Sequence, residues 1–457
     1  MATTTSSTGN YAASRYSEMI QKQLLEVTDN EYVWRYATES GGMKGVSGHS
    51  NQLKINRNRR IAIPMAAVST EGTAPTPTTL EIDQATGTAD QWVMSCQFTD
   101  VAEIYAFHDM LSQAVEAVKD AMVRLDEYIC STPFLAATNV SYPDGVSARS
   151  GLAAANVINT DLLTAMVSGL RRGPNVYGPA KPWERGQFLG LIHEAVTADL
   201  RKDSTFALAE TRAQKSEQYE KGIIADWSGI MWKRTNWMPE YTNMATGMAS
   251  LALDVDATTD VYGDAVSDST ATASLDGLKF KWVEGPGGTF AASTTYDWRV
   301  VARHKLRGFA ENISSTLTTA IPAGDAGNDK TCVMYTPTST DYWYDLYQGA
   351  SGGVLYRVAQ NVEGATATTF TTPATTGTVA PVPPAVGVTV VPIIVCGRKA
   401  VKAVDLRSLE SFITPRTPTH EDPAVQKRTV AAKVFEGAFL VQNEWVRKAE
   451  VATSLVV

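Results

Sequence analysis

Four aspartates, Asp254, Asp256, Asp260 and Asp264, crowd into the stretch DVDATTDVYGD. Carboxylates gathered in a loop are ligands for a hard cation such as calcium. The spacing does not fit a calcium loop, because Thr258 takes the fifth position and the turn glycine falls elsewhere. A solvated acidic linker is the better reading. Five histidines, His49, His108, His193, His304 and His420, are scattered through unlike contexts. His108 falls on an apolar helical stripe and reads as a packed core imidazole. Cys96, Cys130, Cys332 and Cys396 form no CxxC pair, so neither a zinc site nor a disulfide framework is expected, and they read as small buried residues. The sequence has no GxSxG elbow, and no GxxxxGK[ST] or GxGxxG follows a strand. EGPGGTF (284–290) reads as a hairpin turn. Asn139-Val-Ser141 and Asn312-Ile-Ser314 fit a glycosylation pattern that matters only on a secretory route. The expectation is a non-enzyme with no catalytic residue, cofactor or metal.

A second candidate is basic. In KINRNRR, Lys54, Arg57, Arg59 and Arg60 precede a short apolar run, and the acidic TLEIDQ follows. The chain as a whole carries a net charge of −8, whereas a dedicated nucleic-acid binder is ordinarily basic. A local basic patch survives that argument. It either meets acids on a neighbour, positions its own segment, or touches DNA weakly.

These groups need elements to hold them. At 457 residues and 44% hydrophobic content, the chain suits about two to four domains. The start lacks the apolar core of a signal peptide, and no run is long enough to cross a bilayer, so synthesis in a cytoplasm is expected. A helical period from Tyr16 to Val27 followed by glycines reads as an arm, 1–52. Leu53, Ile55 and Arg57 alternate with Lys54, Asn56 and Asn58 as in a strand. STEGTAPTPT is turn-rich, and alternation resumes from Leu80 through Phe98, so 53–99 reads as a long projecting hairpin. Val101 to Ile129 repeat apolar residues every three or four positions, which predicts one helix of about 45 Å. Asp100 with Glu103 is expected to cap it and Pro133 to close it, within a segment 100–150.

Residues 151–249 alternate helices and strands, with a helix at NTDLLTAMVSGLRR capped by Thr160 or Asp161 and a buried strand in QFLGLIHEAV. From 250 to 385 Thr, Ser, Ala, Gly and Asp dominate, and acids exceed bases by about six, a β-rich insertion. The last segment, 386–457, predicts a buried strand at VTVVPIIVCG, a short helix at RKAVKAVDL, and two antiparallel strands joined near VQNEW. These would complete a core begun in the first half.

The order of parts is similar to the HK97-type major capsid protein of tailed bacteriophages. Residues 68–104 resemble the hairpin-to-helix segment of the family named after the phage N4 coat protein, through Glu71, Gly72, Pro75 or Pro77, Leu80, Thr99 and Asp100. The closing segment is similar through Asp422, Pro423, Gln426, Lys433 and Trp445, and FLGLIHEAVTADLRKD resembles the family's central strand and helix. TTYDWRVVARHKLRGFAE and TSTDYWYDLYQGASGGVLYRVAQ resemble strands of a fibronectin type III-like sandwich.

The resemblance implies an α+β, HK97-type capsid fold: N-terminal arm, extended loop, long spine helix, peripheral and axial domains, and an inserted β-sandwich-like domain on the outer surface. It implies self-assembly into pentamers and hexamers of an icosahedral shell in the virion, around a double-stranded DNA genome touched weakly or indirectly. Scaffold, portal and decoration proteins are the implied partners, and no membrane is involved. The extended loop would cross an adjacent subunit, which makes Lys54, Arg57, Arg59, Arg60 and Glu71 candidates for inter-subunit contact. Two alternatives stand beside this: an encapsulin-like non-viral cage, and a glycan-binding or adhesive surface protein that uses the insertion.

Overall fold

A computed structural model describes residues 33–41, 51–61, 63, 78–105, 110–173, 176–184, 186–204, 229–243, 254–255, 279–284, 289–290, 294–305, 310–314, 316–320, 330–335, 342–363, 367–413 and 426–454. Asp256, Asp260 and Asp264, Glu71, and His49, His108 and His420 lie outside them.

The longest strands build a four-stranded spine sheet in the order Glu39–Ser40, Val401–Ile413, Lys427–Leu440, Asp90–Thr99. Alternate residues of a strand share a face. Val430, Ala432 and Val434 therefore point one way, and with Phe98 they meet Met110, Ala114, Val118 and Met122 of the spine helix Met110–Leu135. Each of the larger buried side chains contributes about 1.5–3 kcal/mol.

The stretch expected as one helix is helical wherever it is described, at Asp100–Tyr105 and Met110–Leu135, with 106–109 outside the described residues. Expectations about its ends and about later segments are corrected. Thr99 caps the first piece, its Oγ1 accepting the Ala102 N–H at 3.3 Å, and the Asp100 carboxylate accepts the Val101 N–H at 2.7 Å. Pro133 lies inside the second helix. A proline forfeits its own N–H bond, yet Ala136 N–H still reaches the Thr132 carbonyl at 3.0 Å, and buried Pro133 and Phe134 hold the last turn down.

RKAVKAVDL is not a helix. Val401, Ala403 and Val404 are buried in a strand that pairs parallel with Glu39–Ser40 and antiparallel with Lys427–Leu440. The two closing strands do not pair with each other either. They part at the Asn443–Trp445 turn, where the chain leaves the spine sheet and Val446–Ala452 joins another.

That second sheet joins eleven described strands. At its centre Val390–Cys396 is buried throughout, between Val446–Ala452 and Phe188–Ile192, both antiparallel to it. Ile230–Arg234 runs parallel to Phe188–Ile192. Helix Thr160–Arg172 packs Leu163, Met166 and Leu170 on this core. Its cap is Asn159, whose Oδ1 accepts the Leu162 N–H at 2.8 Å, rather than Thr160 or Asp161.

The sheet then continues into the region read as an insertion. Glu240–Asn243 pairs parallel with Ala310–Ile313, followed by Thr295–His304, Tyr342–Ala350 and Tyr356–Glu363. A smaller sheet, Ala367–Phe370, Lys330–Tyr335, Lys279–Glu284 and Asp254–Val255, lies against it. Between them sit Phe290, Tyr296, Trp298, Val300, Ala302, Tyr344, Leu346 and Phe370, with the Trp298 and Phe370 rings 5.6 Å apart.

Candidate assembly surfaces

Among the described residues the hairpin pairs Gln52–Asn58 with Ile82–Thr88, and Asp90–Thr99 turns away from it into the spine sheet. Its inner face carries Leu53 opposite Gly87, Ile55 opposite Ala85 and Arg57 opposite Asp83. The first two pairs rest on Phe439, Val404 and Val441. The crossing is close: a Cβ at Gly87 would collide with the Phe439 ring, and one at Gly437 with the Thr88 carbonyl. The outer face, with Lys54, Asn56, Gln84 and Thr86, is polar and exposed.

The basic residues at its root are engaged within the chain. Arg57 Nη1 donates to the Val441 carbonyl at 2.7 Å, and its guanidinium lies 4.9 Å from the centre of the Tyr177 ring. Arg59 donates to both oxygens of Asp83, at 2.8 and 3.0 Å, and to Glu81 at 2.7 Å. Tyr177 Oη donates to Asp83 as well. The Arg59 and Tyr177 bonds hold the Asp83 carboxyl below its usual range. Arg60 N–H bonds the Val176 carbonyl at 2.9 Å, and its guanidinium rests on Gly178. Lys54 is exposed on the outer face. Arg57, Arg59 and Arg60 thus help hold the hairpin on its own chain, which is one of the roles the sequence left open for them. Partners 24 and 384 residues away cannot be read from local spacing.

Next to the root, four apolar side chains are exposed. Ile61, Leu80 and Ile82 are more than half exposed, and Ile63 is 79% exposed. A second unpartnered apolar surface lies on the spine sheet. The spine helix covers one face; on the other, Phe412 (51% exposed), Val93 (60%) and Phe435 surround Lys433, whose ammonium sits 5.9 Å from the Phe412 ring and 5.2 Å from that of Phe435. Large apolar residues gathered on one surface mark a contact site.

The arm supplies a third feature, which sequence spacing did not reveal. Its described part, Val33–Gly41, wedges among spine helix, body and spine sheet. Glu127 of the spine helix is buried and accepts the N–H groups of Val33, Trp34 and Arg35 at 3.1, 2.9 and 3.0 Å. It thereby satisfies the donors a helix start leaves open. Trp34 is fully buried, 5.7 Å from the Phe134 ring, and donates to the Trp237 carbonyl at 2.7 Å. Arg35 binds Asp405 at 2.7 Å and Asp126 at 3.4 Å.

The extra strands are tied to the body by a buried polar network. Arg149 meets Glu450 through two bonds, of 2.8 and 2.6 Å, and stacks 3.8 Å from the Tyr241 ring. Lys448 lies 3.4 Å from Glu450. Burial alone would raise the Glu450 carboxyl, but the bonds and charge of Arg149, with Lys448, hold it below its usual value. Arg303 bonds Asp345 at 2.6 Å and the Tyr128 hydroxyl of the spine helix at 2.8 Å.

The groups first considered for chemistry sit in structural places. His193 caps helix Glu194–Leu200 by accepting the Ala195 N–H at 3.2 Å, and burial lowers its pKa. His304 packs on Tyr342 at 5.1 Å. Burial raises the Cys396 thiol to about 12 and the Cys130 thiol further. Among the described residues no three His, Cys, Asp or Glu side chains converge as metal ligands, and no helix is long and apolar enough to cross a membrane.

No family model matches the sequence, and no curated protein does. Solved structures do. A chain of the cyanophage Pam1 capsid superposes with a TM-score of 0.51 at 11% identity, over 97% of this chain and 97% of that one. The capsid of cyanophage P-SCSP1u gives 0.50 at 11% identity, over 96% and 94%. That of Helicobacter pylori bacteriophage KHP30 gives 0.50 at 10%, over 95% of each chain. The fold is that of phage capsid chains.

Proposed function

We propose that this chain is the major capsid protein of a tailed bacteriophage, many copies of which close into an icosahedral shell around double-stranded DNA. The observation that carries the reading is the whole-length match: 95–97% of the chain is covered by capsid chains of the same fold. The two apolar surfaces fit this role. We read the exposed Ile61, Ile63, Leu80 and Ile82 of the loop and the exposed Val93 and Phe412 of the spine sheet as the two sides of a heterologous contact between copies. Such contacts propagate around rings, and several weak ones per subunit make a closed shell cooperative.

In finer terms we read the chain as HK97-type and close to the N4 coat family. Arm (1–52), extended loop (53–99), spine and peripheral segment (100–150), axial domain (151–249), insertion (250–385) and return strands (386–457) are its parts. Lys54 and Glu71 remain candidates for contact with a neighbour, whereas Arg57, Arg59 and Arg60 act by holding the loop in its outward pose. An adhesive role for a self-contained sandwich is disfavoured by the ladder that runs from Glu240–Asn243 into Ala310–Ile313. A cage without a genome differs in its contents, which nuclease protection of DNA inside purified particles distinguishes.

The test is Ile63→Asp. The side chain is exposed, so the folded subunit should melt unchanged while assembly, read by sedimentation, is lost. Normal particles from this variant would remove Ile63 from the contact.

A further inference from the structure

On the inward face of strand Lys427–Leu440, Val430, Ala432 and Val434 are followed, in the same alternation, by Glu436. An acid there breaks the pattern that builds the core, and such breaks concentrate at sites with a role beyond packing. Glu436 is 7% exposed, and its Oε1 is buried without a hydrogen-bond partner. Directly opposite it stand Asp405 on one neighbouring strand and Asp90 on the other. Like charges paired across strands repel. From the spine helix Asp126 adds to the field at Glu436, with buried Glu127 and Cys130 beside it on the same helix. The cation acting on Glu436 is Arg35 of the arm, bonded to Asp405 and Asp126.

We propose that this cluster makes the arm a proton-controlled latch: segment 33–41 is held tightest on the spine helix and sheet when Glu436 carries a proton, and the joint loosens as Glu436 ionises. The inference concerns the single chain and does not depend on the assembly reading.

The geometry explains the direction. An ionised Glu436 would be a buried charge with an unsatisfied oxygen in the field of Asp126 and Asp405, and Arg35 is already shared by those two carboxylates. Opening the joint admits water to that oxygen. Burial first, then the charges of Asp126 and Asp405 against that of Arg35, push the Glu436 carboxyl up to about 7. A carboxyl raised above its unfolded value stabilises the closed state fully below that unfolded value, and the contribution fades as pH rises through about 7. With a tenfold change per unit, the opening equilibrium of the joint should grow by about two orders of magnitude between pH 5 and pH 9.

Hydrogen exchange of the full-length protein tests this, with the intrinsic pH dependence of the chemical step removed. Protection of the Val33, Trp34 and Arg35 amides should fall by about two orders of magnitude over that range, while the amides of Val390–Cys396 stay protected. In Glu436→Gln the fall should vanish. In Asp126→Asn the midpoint should move to lower pH, because one repelling charge is gone. A purely structural role for Asp126 would lower protection at every pH and leave the midpoint in place. Flat protection in the native protein, an undiminished fall in Glu436→Gln, or an unmoved midpoint in Asp126→Asn would each overturn the latch; if the Gln variant does not fold, the Asn variant decides alone.

Discussion

Removing residues 250–385 should destroy the fold, not trim a decoration. Leu152, Tyr241 and Val390 of the body are buried in one cluster with Val301, Ile313, Tyr347, Leu355 and Ala380 of the inserted stretch. Uncovering the three body residues forfeits about 1.5–3 kcal/mol each, so roughly 5–9 kcal/mol. The deletion also takes away the Val382 carbonyl that accepts from Arg149 at 3.2 Å and the Pro384 carbonyl that accepts from Asn243 at 3.0 Å. Strand Glu240–Asn243 loses its parallel partner as well. Whole domains are stable by about 5–15 kcal/mol, so the loss is of the same size as the total. Far-UV circular dichroism with thermal melting, on the soluble fraction of the deleted chain, reads the outcome. We expect insoluble or non-cooperative material. A soluble chain that melts cooperatively within a few degrees of the intact one would refute the claim that the inserted strands and the body share a core.

Other expectations follow from single side chains. Phe439→Ala removes the ring on which Gly87, Leu53 and Ala85 rest and should cost about 3–5 kcal/mol, with amide protection lost first in Gln52–Asn58 and Ile82–Thr88. Glu450→Gln leaves Arg149 and Lys448 buried without their counter-charge and should cost about 3–5 kcal/mol in urea unfolding. Because the Glu450 carboxyl is held below its usual range, its contribution is present above the unfolded value and fades as pH falls through the folded one. Acid should therefore weaken this joint, where base weakens the arm. Arg59→Ala removes an exposed pairing and should leave the melting temperature unchanged while exchange at Ile82–Thr88 quickens.

What could be read from the sequence was whatever local alternation decides. The alternation of Leu53, Ile55 and Arg57 with Lys54, Asn56 and Asn58 gave the correct strand, because a period of two is what a strand with one buried side requires. A continuous apolar run marked Val390–Cys396, and a helical period marked the helix at 160–172. Local spacing failed at 401–413, where Val401, Val404 and Asp405 are spaced as well for a helix as for a strand; pairing with residues 427–440 decided between them. The cations at the hairpin root were visible, but their partners were not. Arg57 finds its acceptor at Val441, and Arg35 finds Asp405, both by folding across most of the chain. Glu127 looked like one polar residue on a long helix, yet it caps another helix, which no local motif encodes. The inserted region announced its strands through composition but not its register with Glu240–Asn243, because that strand has only four residues.

The most direct measurement of the assembly claim is electron microscopy, with sedimentation, of the purified full-length protein across salt concentration and crowding. The account predicts hollow, closed particles of uniform diameter that disappear in Ile63→Asp. A compact monomer at high protein concentration under every condition would contradict it.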